Sequence, residues 1–293
     1  MQVMRKTLWA SETLQIGLFC AQPASDACGG VERQASNAVV LPVSGLFSKH
    51  DAPGRYVIGT PSHAVFFAAD APYRIGFPGA IGDRALVLRF DDALAPDHLD
   101  RRGRSEPLPL HGLLSPNAMM LRNLLWTRLQ GAAADEFECE ALGLDLLSMA
   151  LSSMRDGPLP VRGSSLSRRR RAVERVKQAV AVAPTDKWNV AKLAKIANLS
   201  PFHLCHVFRQ MTGTSIYNYV LQERLALALA AVLAGGEHLT AIALDAGFAS
   251  HSHFTARFRG FFGCTPTALR RLATAEQVVE LRKIMTARRR RFA

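Results

Sequence analysis

The sequence predicts an α+β protein: an N-terminal β-sandwich or small barrel with a helical hairpin, then an all-α region of two similar units. Three observations carry this. Short β-branched and aromatic runs, separated by Gly, Pro, Asp and Ser, crowd residues 35–92. Beyond Ser115 the apolar residues fall into helical stripes. Finally, a stretch beginning at Leu193 recurs about 50 residues later.

At the N-terminus, Arg5 and Lys6 precede the apolar segment Leu14 to Cys20, a loose likeness to a secretion signal. Glu12 and Gln15 interrupt it, and Phe19 is too large for the small residue a signal peptidase requires, so an amphipathic strand and a cytoplasmic protein are expected. The strand candidates are Val39–Leu41, Tyr56–Ile58, Ala64–Phe67, Tyr73–Phe77 and Ala85–Phe90. A polar stretch from Asp97 to Glu106 closes this region.

Ser115-Pro116 pairs an N-cap residue with Pro at the first helical position, and Met120, Leu121, Leu124, Leu125 and Leu129 form the stripe of that helix up to Gly131. A second helix, about Asp135 to Met154, carries acidic residues in its first turn. Phe137, Leu142, Leu144, Leu146, Leu147, Met149 and Leu151 give it more than one apolar face, to be covered by a partner subunit or by the β region. Gly, Pro and Ser mark 156–167 as a linker.

In the repeat, Leu204, Phe208, Arg209 and Gly213 fall on Phe254, Phe258, Arg259 and Gly263 at one offset, and the preceding helices match at one residue less. Each copy reads as a helix-turn-helix: Ala194 and Ala243 allow close helix crossing, and Asn198 and Gly247 suit a left-handed turn. Ser200 and Ser250 sit at or beside the next N-cap. The stripe Leu204, Val207, Phe208 and Met211 is predicted buried, as are Phe254, Phe258 and Phe261. The outward stripes are then Phe202, Cys205, His206 and Arg209 in the first unit, and His251, Ser252, Thr255, Ala256 and Arg259 in the second. Ser215 to Ala234 is an apolar connecting helix, a rigid spacer for two sites one duplex turn apart.

Charge locates the partner. The chain is +12 overall, yet residues 168–293 hold 21 Lys and Arg against 7 Asp and Glu, a net of +14. A near-neutral first half and a basic second half point to a polyanion met by the second half. Polar, aromatic and basic side chains on two equivalent faces favour double-stranded DNA. The run Arg168 to Arg171 opens the first helix of this region, where cations oppose the dipole unless phosphates lie nearby. Residues 274–293 suggest a further helix and a basic end, Arg288 to Arg291, for nonspecific attraction. Cys20, Cys28, Cys139, Cys205 and Cys264 lack zinc-knuckle spacing and read as free thiols.

Residues 171–272 resemble the AraC/XylS family of bacterial transcription regulators, through Ala246-Gly247-Phe248, Ser252-His253-Phe254, Phe258 and Phe262-Gly263-Cys264-Thr265-Pro266, with Tyr219, Arg224 and Arg270. The resemblance implies base contacts by Phe202, Cys205, His206, His251, Ser252, Thr255 and Ala256, and phosphate contacts by Arg209, Arg257 and Arg259. A basic Arg is frequent in the family where His206 and Ala256 stand, so target preference should differ; Ala256 offers a thymine methyl contact only. The β region resembles, more weakly, the cupin-like sensor preceding such modules, through Gly45-Leu46-Phe47, His50, Gly54, Tyr73-Arg74-Ile75 and Gly82-Asp83-Arg84. It implies a small-molecule effector, with Tyr56, Phe66 and Phe77 as candidate lining or as ordinary core. Only His50 and His63 are available as clustered ligands, so no metal or cofactor is expected.

The expected organisation is a sensor over 1–110, a dimerising hairpin over 111–156, a linker over 157–167, a double helix-turn-helix domain over 168–273 and a basic tail over 274–293. The expected function is a promoter-binding, effector-responsive regulator, a homodimer without membrane contact, with RNA polymerase as a further partner. It is not expected to be an enzyme. The alternative is a cupin-type or DNA-alkyl-transfer enzyme carrying the same module, for which Cys20 and Cys28 lack metal partners.

Overall fold

The computed structural model describes residues 2–53, 55–94, 111–130, 136–154 and 164–274. Strands β1 (Gln2–Ala10), β2 (Leu14–Gln22), β3 (Asn37–Gly45), β4 (Phe47–Ala52), β5 (Arg55–Gly59), β6 (His63–Phe67), β7 (Arg74–Gly76), β8 (Asp83–Phe90) and β9 (His111–Leu113) form two sheets. One has six antiparallel strands in the order β1-β2-β8-β3-β6-β9, the other three in the order β5-β4-β7. Alternation along β8 sorts the large sheet's faces. Leu86, Leu88 and Phe90 join Leu14, Ile16, Val39 and Phe66 under the helices, whereas Val87, Ala38, Val65 and Phe67 meet Phe47, Val57 and Phe77 between the sheets.

Four of the five strand candidates lie within strands, the fifth, Tyr73–Phe77, brackets the shorter β7, and Leu14 to Cys20 lies in β2. Three strands escape the sequence reading. Edge strand β1 is exposed along its first six residues and shows no alternation of burial. Polar β4 buries Lys49, whose ammonium lies 4.8 Å from the Phe67 ring centre and 2.9 Å from Asp51 Oδ1. Strand β9 has only three residues. The polar stretch 97–106, the core of the linker and 275–293 lie outside the described residues.

Helices α1 (Pro116–Gln130) and α2 (Glu136–Ser153) form the hairpin, with Ser115 Oγ accepting from Ala118 N at 3.2 Å. Their apolar faces are filled within the chain. Met119, Leu121, Leu125, Leu142 and Leu146 are buried against the large sheet and against α6 (Ile216–Ala234) and α8 (His251–Phe262). The apolar excess that suggested a partner subunit is thus satisfied internally; Phe137, 81% exposed, is the exception.

The next helix, α3 (Ser164–Val182), begins inside the expected linker. That start moves Arg168 to Arg171 out of the first turn, where the positive end of the dipole would oppose them most. After it come α4 (Val190–Ala197), α5 (Pro201–Thr212), α6, α7 (Leu239–Asp245), α8 and α9 (Pro266–Thr274).

One acid is set apart by its surroundings. Asp83 is 4% exposed, and its carboxylate has no hydrogen-bond partner among the described residues beyond its own backbone N–H. Burial pushes its pKa up to about 8. Between the ordinary carboxylate range and that value the unfolded chain has lost this proton and the folded chain keeps it. Stability therefore falls as pH rises through the window and levels off above it. Asp83→Asn removes the slope: relative to the parent it should gain up to about 4 kcal/mol between pH 5 and pH 8. Denaturant titrations at the two pH values measure this, and parallel curves would refute it.

Candidate nucleic-acid interface

The two helix-turn-helix units are built by matching local devices. In the first, Asn189 caps α4 by accepting from Lys192 N, and Asn198 ends it at φ 54°, ψ 48°. The backbone then folds back, Leu199 N donating to Ala194 O at 3.0 Å, and Ser200 caps α5 by accepting from His203 N. In the second, Gly247 takes the left-handed turn at φ 78°, Phe248 N donates to Ala243 O at 2.9 Å, and Ser250 caps α8 through His253 N. A side chain on Gly247 would meet Thr185 backbone at 3.1 Å, so the position is closed to other residues on two counts.

Each second helix buries one stripe. Leu204, Val207 and Phe208 are fully buried in α5, and Met211 is half-buried. In α8 the buried residues are Phe254, Phe258 and Phe262; Phe262, not Phe261, occupies the deepest place. The reason is spacing: 254, 258 and 262 step by one turn each, and the Phe258 and Phe262 rings lie 4.5 Å apart. Phe261 is half-buried at the margin.

The opposite stripes are open. Phe202 is 86% exposed, and Cys205, His206 and Arg209 are exposed beside it. His251, Ser252, Ala256, Arg257 and Arg259 are exposed on α8. Thr255 departs from the expected set: it is half-buried, and its hydroxyl oxygen is turned away from solvent. Arg257 is partly engaged, 6.0 Å over the Tyr217 ring, with Nε donating to His253 Nε2 at 3.4 Å.

The repeat extends further back than the motif. At an offset of 49, the sequence of α3 aligns with that of α6: Glu174 falls on Glu223 and Arg175 on Arg224. The arginines act alike, each stapling its helix to its own turn. Arg175 Nη2 donates to Ala197 O at 2.7 Å, and Arg224 Nη1 donates to Gly247 O at 2.9 Å.

The glutamates also act alike, and both reach one short segment of the β region. Glu174 Oε2 accepts from Ile58 N at 3.0 Å, and its carboxylate holds Lys177 Nζ at 2.9 Å; Lys177 in turn donates to His111 Nε2 at 3.0 Å. Glu223 Oε1 accepts from Thr60 Oγ1 at 2.9 Å and from Ser62 Oγ. Burial raises the Glu223 pKa, and the two hydroxyl donors oppose that rise. Next to it His63, fully buried, is held well below its ordinary range by burial and by the Lys177 and His111 charges. Arg122, also fully buried, donates to Pro42 O and Pro61 O. Residues 58–62 are thus held by the long helices of both units. Sequence reasoning missed this cluster; the offset of 49, followed back into α3, would have paired the glutamates.

The effector candidates are not brought together. Phe66 lies under the helices, Phe77 lies between the sheets, and Tyr56 stacks on His50 with its hydroxyl near Gln178 of α3.

Residues 193–272 match the profile of a family described as "Helix-turn-helix domain". The transcriptional activator RhrA of Rhizobium meliloti is 35% identical over 103 residues, 34% of this chain and 32% of its own. The bifunctional transcriptional activator and DNA repair enzyme AdaA of Bacillus subtilis is 27% identical over 93 residues, 32% of this chain and 44% of its own. The chain spans about a third of the length of the first curated relatives it matches. Among solved structures, ToxT from Vibrio cholerae aligns over 90% of this chain and all of its own at 12% identity, with a TM-score of 0.35, too slight a likeness to argue from.

Proposed function

We propose, from the premise that residues 193–272 are an AraC-type helix-turn-helix domain, that the whole chain is a sequence-specific DNA-binding transcription regulator. The observation that carries the reading is the pair of open stripes on α5 and α8, equivalent by repeat and set in a strongly basic half. In this reading Phe202, Cys205, His206, His251, Ser252 and Ala256 meet base edges, with Thr255 at the margin of the set. Arg209, Arg257 and Arg259 meet phosphates. The last turns of α5 and α8 carry Arg209 and Arg259, where a cation also complements the dipole.

Selection of bound duplexes from random DNA tests this directly. On a selected site, the triple substitution His206→Ala, His251→Ala and Arg259→Ala should weaken binding by roughly tenfold to a hundredfold. Undiminished binding would remove the assigned faces.

The input side of the proposal is a small molecule taken up by the β region. Buried Asp83, whose carboxylate has no partner beyond its own N–H among the described residues, supports a polar contact there better than the three scattered aromatics do. The output is action in the cytoplasm at a promoter, with RNA polymerase as the further partner. A homodimer completes the reading. With the hairpin filled internally, the exposed Phe137 and the outer strand β1 are the surfaces proposed for it. Among the described residues no group of three or more His, Cys, Asp or Glu is placed to hold a metal ion.

A further inference from the structure

A cleft of about 260 Å³ lies between α3 and the α4–α5 turn. Arg168, Arg169 and Arg175 line it from α3, and Asn198, Leu199 and His203 line it from the turn and α5. Arg175 is committed to Ala197 O, but Arg168 and Arg169 have no acidic partner within 4.0 Å among the described residues. Two unneutralised guanidiniums sharing a concave site are unfavourable for each other unless an anion joins them.

The second unit gives an internal contrast. At the repeat offset, Arg168 corresponds to Tyr217, Ala172 to Leu221 and Leu199 to Phe248. With Asn218 in the place of Arg169, none of these side chains carries a positive charge; Tyr217 keeps only a hydroxyl donor and lies under Arg257, and Phe248 packs edge-on against His253 at 5.6 Å. The repeat therefore does not account for the paired guanidiniums of the cleft. It is specific to the first unit.

Its position names the anion. His203 lines the cleft and lies one helical turn from His206, on the open stripe of α5. With α5 in a major groove, the cleft sits beside the strand that borders that groove. We propose that this cleft seats a DNA backbone phosphate, held by Arg168 and Arg169 with an N–H from His203, and that it anchors the first unit more firmly than the second. The proposal rests on the DNA-binding reading above.

The test uses the full chain and a duplex of about 30 base pairs selected by the parent protein from random DNA. Arg168→Gln with Arg169→Gln should raise Kd roughly tenfold near 0.1 M salt and lower the slope of log K against log salt by about one to two. The selected sequence preference should stay unchanged, because phosphate contacts carry no sequence information. Arg168→Lys with Arg169→Lys should keep most of the slope, which separates lost charge from lost fold. An unchanged slope and affinity in the Gln variant would overturn the proposal while leaving the DNA reading intact. Saturable binding of inorganic phosphate or pyrophosphate below about 1 mM without DNA, abolished in the Gln variant, would make the cleft a small-anion site instead. If the parent shows no salt-steep binding to any duplex, the DNA reading falls and this proposal with it.

Discussion

Glu223→Ala is expected to cost about 3–5 kcal/mol of stability, the range for removing one partner from a buried, hydrogen-bonded charged cluster. The glutamate is 4% exposed, and its Oε1 accepts from both Thr60 and Ser62. Truncation removes the acceptor shared by Thr60 and Ser62, which keep only each other and His63 Nδ1 within reach, and takes the opposing charge away from the fully buried Arg122. Glu223→Gln keeps an acceptor oxygen and removes only the charge, which burial already disfavours, so it should cost about 1 kcal/mol. Glu174→Ala should resemble the larger case, since it strands Lys177, 1% exposed, and the Ile58 N–H. Because both glutamates hold residues 58–62, the double substitution should depart from additivity by more than about 0.5 kcal/mol. Urea titrations of the four proteins decide this; a cost near zero for Glu223→Ala would mean the cluster does not join the β region to the helical units.

This junction is also where reading from sequence stops. Periodicity reports which face of an element is apolar, so β3, β5, β6 and β8 and the second helix of each repeat unit were legible, as were the caps Ser115, Ser200 and Ser250. Periodicity does not report what covers a face. Phe66 and Phe67 necessarily point opposite ways, yet nothing local says that Phe66 goes under helices and Phe67 between sheets. That is why the three aromatics, read as candidate lining or as ordinary core, ended in three places. Buried charges are harder still. Glu223 and Thr60 are 163 positions apart, and a Glu in a helix reads as solvated until its partners are known. Lys49 in β4 hid a strand for the same reason, its ammonium being sheltered by Asp51 and the Phe67 ring.

The second large effect concerns how the cores are divided. The sequence separates sensor from DNA-binding module near residue 167, but the apolar packing divides elsewhere. One cluster runs from Leu14 and Phe66 of the large sheet, through Leu121 and Leu125 of α1, into Leu229 of α6 and Phe254, Phe258 and Phe262 of α8. The first unit has a separate core of Val173, Val176, Leu193, Leu204, Val207, Phe208 and Tyr219. Phe258→Ala should therefore cost about 3–5 kcal/mol and lower the transition of the β region together with that of the second unit. Phe208→Ala, equal in size and burial, should cost a similar amount but act chiefly on the first unit, splitting unfolding into two steps. Hydrogen exchange distinguishes them: Phe258→Ala should speed exchange in β3, β8 and α8 alike, whereas Phe208→Ala should speed it in α4 and α5 and spare β8. Identical exchange patterns in the two variants would show the chain to be one cooperative unit and would refute the division. If the division holds, the β region joins α8 through continuous apolar packing but meets the first unit mainly through polar contacts at residues 58–62, Glu174 and Lys177 to His111, with Leu113 beside them, so the two helices proposed to meet DNA stand in unequal relation to it.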